Sequence, residues 1–122
     1  MPVTFELDPA GRLLATYAEG AAPVTLVEPV AGEPIIQLYQ RAIDTHVETT
    51  ARVAGYNSAA HLASYINSSV LLWADQANVF IAWRDEVWLN VYATMQMAQM
   101  TGEIPDLLTV MRQLPVIVLP VT

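Results

Sequence analysis

Hydrophobic positions along the chain change period near residue 34. Residues 3 to 33 alternate short apolar runs with turn formers: VTFEL, the tetrad Asp8-Pro9-Ala10-Gly11, RLLATYAE, the stretch Gly20 to Pro23, and VTLVEPV. Asp-Pro-x-Gly between two alternating runs is a hairpin signal, so this region predicts a small antiparallel sheet of two or three strands. So small a sheet needs helices or a partner to cover one face.

The period then becomes helical. Ala31-Gly32-Glu33-Pro34 opens a first helix, about 34 to 54, in which Ile36, Tyr39, Ile43, His46/Val47, Thr50 and Val53/Ala54 recur at three-and-four spacing. Gly55 supplies its C-terminal stop, and Asn57-Ser58 an N-cap for a shorter helix of about 58 to 66. Asn67-Ser68-Ser69 interrupts again, with a serine placed to cap a third helix that runs to Thr101-Gly102. At 1.5 Å per residue that helix is about 46 Å long. A compact globule of this chain length is only about 35 Å across, so the helix must bend, overhang or be shared. Pro105-Asp106 starts a fourth helix to about Gln113, and LPVIVLPVT closes the chain as an extended segment between prolines.

The fold class predicted is therefore α+β: a small N-terminal antiparallel sheet followed by a mainly helical bundle with one long central helix. Residues 1–33 form the β region, 34–113 the helical part and 114–122 an apolar tail, all in one cooperative unit.

Composition sharpens the picture. Of the 122 residues, 54% are hydrophobic and 14% charged, against about 45 to 50% and about 25% in typical domains. Such a chain has more apolar surface than it can hide, so some of it should face a partner. Twelve acids against five bases give a net charge of -7 with no Lys/Arg cluster, which disfavours nucleic acid and anionic lipid surfaces. Without cysteine there is no disulfide, thiolate metal site or thiol nucleophile. The opening MPVTFELDPAG has neither a basic nor an apolar leader region, and the longest apolar runs fall short of a membrane helix. No secretory leader and no membrane span are expected.

Candidate chemistry is sparse. His46 and His61 lie near Asp44, Glu48 and Tyr65, but fifteen residues apart on different helices, not at the four-residue spacing of a helical metal pair. They read as structural, with His46 bonding a backbone carbonyl or a neighbouring helix. No Gly-x-Ser-x-Gly elbow and no phosphate loop is present. No catalytic, cofactor or metal residue is expected.

The stretch FIAWRDEVWLNVY places Phe80, Trp83, Val87 and Val91 on one helix face and Ile81, Trp88, Tyr92 and Met95 on an adjoining one. That breadth predicts a helix covered on two sides. Arg84, set inside it, must either reach water along its stem or pair with a carboxylate; the expectation is a stack on Trp88 one turn on and a pair with Asp44 or Glu48 of the first helix, fixing their register, with a partner-binding role as the alternative. Met95, Met97 and Met100 crowd the far end of the same helix as a soft surface that adapts to a client, or as gap-fillers of the core. Val116, Ile117, Val118 and Leu119 either complete the N-terminal sheet or add a strand to another chain.

Several separated segments resemble, in order and spacing, a domain of small proteins encoded beside phage tail-fibre genes. They are AIDTHVETTARVAGYNS (42 to 58), SYINSS (64 to 69), FIAWRDEVW (80 to 88) and QLP (113 to 115). The resemblance spans roughly residues 35 to 115. It implies a non-enzymatic tail-fibre assembly protein that caps or chaperones a tail fibre or receptor-binding protein in the host cytoplasm. The alternative within the same resemblance is a structural subunit kept in the virion tail, and a homo-oligomer is compatible with either. The run Val70-Leu71-Leu72-Trp73 departs from the resemblance, which implies a polar, proline-containing turn there; it is either extra core or a contact surface of this chain's own.

Overall fold

The computed structural model of the protein describes residues 3–121. Met1, Pro2 and Thr122, included in the β region and tail read from the sequence, lie outside it.

Strands β1 (Thr4–Leu7), β2 (Leu13–Thr16) and β3 (Val24–Val27) form an antiparallel sheet in the order β1-β2-β3. The first hairpin is closed by Asp8, whose Oδ1 accepts from the backbone N–H of both Ala10 and Arg12 at 2.9 Å. That is an Asx-type turn, and it sets the register Phe5 opposite Ala15. Phe5, Leu13 and Ala15 point to the core, as do Leu26 and Val27 of β3.

Helix α1 (Ile35–Val53) lays Tyr39, Ile43, His46, Val47 and Thr50 into that core. It ends as the glycine predicts: Gly55 takes φ 101, Tyr56 N–H reaches back to Ala51 and Gly55 N–H to Arg52, a Schellman-type stop. Ser58 then caps α2 (Ala59–Ala63) through its side chain. The second helix is shorter than the periodicity implies. Ser64 Oγ bonds the carbonyl of His61 at 2.6 Å, and the chain tightens into a 3-10 turn over Ser64–Asn67.

Helix α3 (Leu71–Thr101) is the expected 31-residue element, ended by Gly102 at φ 75. Its N-cap is Val70 and not a serine; Ser68 Oγ instead accepts the N–H of Val70 at 3.1 Å, one step outside the helix. Asp106 caps α4 (Leu107–Arg112) by accepting from Thr109 N–H at 2.8 Å. The carboxyl of Asp106 is held below its usual range mainly by that bond.

Residues 115–121 lie beside α3 without regular secondary structure and join no strand, so among the described residues the sheet has three strands and the tail does not complete it. Trp83 Nε1 donates to the carbonyl of Pro115 at 2.8 Å and Gln76 Nε2 to that of Pro120 at 2.9 Å, so the tail runs antiparallel to the helix.

Candidate docking surfaces

Arg84 does not hold α1. Its Nη2 and Nε reach Oδ1 of the adjacent Asp85 at 3.2 and 3.3 Å, with both groups in contact with water. Helical geometry explains the correction. Asp44 is one residue past the buried Ile43, hence about 100° round the helix, and faces solvent. Glu48 is engaged locally, accepting Ala59 N–H at 3.3 Å and facing Arg52 at 3.8 Å. Trp88 packs on Tyr92 one turn on, ring centroids 6.2 Å apart, and not on the guanidinium. An exposed pair of this kind stabilises by about 0–1 kcal/mol, so register is set by apolar packing.

His46 is the polar centre of the core. Its ring stands edge-on to Phe5 at 5.2 Å and to Trp83 at 5.5 Å, lies beside Tyr17 at 5.6 Å, and its Nδ1 bonds the Tyr17 hydroxyl at 2.7 Å. Its partner is therefore a side chain just beyond β2, and not a carbonyl or a neighbouring helix. Burial pushes the imidazole down to about 4 and the Tyr17 phenol well up, so both are neutral near pH 7.

His61 is fixed in an aromatic corner. Its Nδ1 accepts Asn57 N–H at 3.0 Å, which leaves the proton on Nε2, facing the Tyr65 hydroxyl at 3.2 Å. Tyr56, Tyr65 and Trp73 complete the cluster, and Tyr56 donates to Gln76 Oε1 at 2.6 Å. The Tyr56 and Tyr65 hydroxyls, both His61 ring nitrogens and the Gln76 amide around this shallow hollow thus all have hydrogen-bond partners within the protein. His46 and His61 sit in separate surroundings, and no group of three metal-ligating side chains occurs among the described residues.

The apolar surplus lies elsewhere. On α3 only Ala77, Phe80, Trp83, Val87 and Val91 are buried, and its last turns are covered on one side. Met95 is half-buried there, in a groove of about 300 Å³ floored by Ile36, Val91, Ala98, Ile104 and Val110. Met97 (59% exposed) and Met100 (80%) point away from the groove into water, with Leu89 and Tyr92 on the same outer side. The adjoining face expected to be covered is covered only in part, since Ile81 and Trp88 are half-buried and Tyr92 is exposed. Met111 is fully buried and belongs to the core.

Val70, Leu71 and Trp73, the run departing from the family resemblance, are exposed, so this run is surface and not additional core. In the tail, Ile117 and Leu119 pack inward while Val116 and Val118 (76% exposed) point out. Sequence reasoning missed Arg112, whose Nη2 donates to the Phe5 carbonyl at 3.1 Å; nothing in the local pattern marks a residue that acts 107 positions away. Compared with models of known protein families, with curated proteins and with solved structures, the chain matches none.

Proposed function

We propose that this chain is a non-enzymatic phage tail protein of the fibre-assembly class, a chaperone or cap that docks on a tail fibre or receptor-binding protein. The observation that carries this reading is the set of exposed apolar side chains on the outer side of α3, Leu89, Tyr92, Met97 and Met100, on a helix whose inner side lines an apolar groove. Several large apolar side chains exposed on one helix of a small acidic protein favour a partner surface, and flexible methionines suit one that changes shape as it assembles. The resemblance over residues 35 to 115 supplies the partner class. An unclosed trimeric fibre presents the apolar seams and free strand edges that such a cap would cover.

Co-expression with a phage tail-fibre protein, taken from beside this gene if one is encoded there, followed by affinity capture, tests the reading. The fibre should co-purify with the wild-type chain and be lost with Met97→Lys/Met100→Lys; capture of neither sinks the proposal. Mass spectrometry of purified particles separates the assembly role from a retained subunit, which would give a stoichiometric signal.

A further inference from the structure

Four of the five arginines on this acidic chain face a carboxylate: Arg12 with Asp8 at 2.6 Å, Arg41 with Glu33 at 2.6 Å, Arg52 with Glu48 at 3.8 Å and Arg84 with Asp85 at 3.2 Å. Arg112 has no carboxylate within 4.0 Å among the described residues, and acts only at longer range on Asp106, whose carboxyl it helps the Thr109 N–H to hold low. This exposed last residue of α4 instead reaches the backbone of β1, an outer strand of the sheet, at Phe5. The cleft there, of about 240 Å³, is lined by Val3, Phe5, Met111, Arg112, Leu114 and Val116. Thr4 lines it too, so its polar side chains are the Arg112 guanidinium and the Thr4 hydroxyl, and the rest of the side-chain lining is apolar.

The other wall of the cleft leads into an unfinished strand. From Val116 to Leu119 side chains alternate outward and inward, as in a sheet. The flanking carbonyls of Pro115 and Pro120 are taken by Trp83 and Gln76, but the N–H groups of Val116, Ile117, Val118 and Leu119 have no partner among the described residues. A segment with strand-like alternation, free donors, outward valines and no charged side chain is an unguarded edge. It recognises another extended backbone, and the cation beside it recognises a carboxylate.

We propose that the cleft between the β1 edge and residues 114–116 binds an extended apolar segment of a partner protein that bears one carboxylate, and that this segment continues along residues 117–119. Arg112 takes the carboxylate, and residues 116–119 pair with the segment's backbone. A second copy of this chain is the less suitable occupant, because each copy carries a charge of -7 and the two would repel. The inference rests on the docking reading above, and names the surface and the chemistry of the segment it takes.

The test is an NMR titration of the full ¹⁵N-labelled chain with the blocked peptide Ac-Thr-Val-Asp-Val-Thr-NH2 and its Asn counterpart. Saturable amide shifts are expected in β1 and over 112–119, with the Asn peptide bound about tenfold more weakly. Arg112→Gln should bring the Asp peptide down to the level of the Asn one, Arg112→Lys should restore part of the difference, and Val118→Lys should weaken both peptides. Equal binding of the two peptides, shifts confined to the α3 groove, or no saturable shift overturns the proposal. So does concentration-dependent self-association moving the same amides, which would make a second copy the occupant. The two readings fail separately. Fibre captured equally by wild type and by Arg112→Gln/Val118→Lys removes this inference and leaves the docking role. Peptide saturating the cleft while no fibre is captured does the reverse.

Discussion

The Tyr17 hydroxyl and the His46 Nδ1 meet at 2.7 Å inside the core, joining the end of β2 to the middle of α1. Burial lowers the folded-state pKa of His46 to about 4, while the unfolded chain takes up its proton near 6.5. Between these values the unfolded state binds more protons, so stability is full above pH 6.5 and falls as pH drops toward 4, by up to about 3 kcal/mol. Thermal melts from pH 7 to 4.5 should show this loss. His46→Gln should be less stable at pH 7 yet flatter through that window; parallel curves for the two proteins would contradict the assignment.

Replacing Arg84 by Ala should change stability by no more than about 1 kcal/mol, because its partner Asp85 is an exposed neighbour. A urea midpoint measurement decides the matter. A loss of several kcal/mol would mean that the arginine holds the helices after all.

Gly55→Ala isolates backbone strain. A methyl group there meets nothing within 4 Å, so the φ of 101 is the whole penalty. The expected cost is about 1–2 kcal/mol by equilibrium unfolding. A neutral result would show that the α1 terminus relaxes freely.

Trp83→Phe keeps an aromatic ring in the core but removes the donor to Pro115. A loss of about 1 kcal/mol from the hydrogen bond is expected, beyond the smaller ring's packing deficit. Backbone ¹⁵N order parameters of residues 116–119 should fall more than those of β2, since this bond ties the tail to α3. An unchanged order-parameter profile along the tail would count against that role.

Met97→Lys/Met100→Lys should leave the melting temperature nearly unchanged, because both side chains already face water. A large drop would place these methionines in the fold's own packing and remove the main support for a docking surface.

Where the information was local, the sequence alone sufficed. Asp8-Pro9-Ala10-Gly11 encodes its turn in four adjacent residues, Gly55 and Gly102 end helices because they tolerate positive φ, and the three-and-four spacing through Ile43 and Val47 marks the buried stripe of α1. These features need only backbone geometry and burial, so the α+β class, the element order and the long third helix could be read directly. The partners of Arg84, His46 and the tail could not. A guanidinium on a flexible stem reaches whichever carboxylate the rotation of two helices presents, and that rotation turns Asp44 to water. Tertiary packing alone set His46 against Tyr17, laid Pro115 on Trp83 instead of beside a strand, and brought Arg112 to Phe5. Each of those contacts joins positions at least 29 apart in the chain, and only the closure of the whole core fixes such distances.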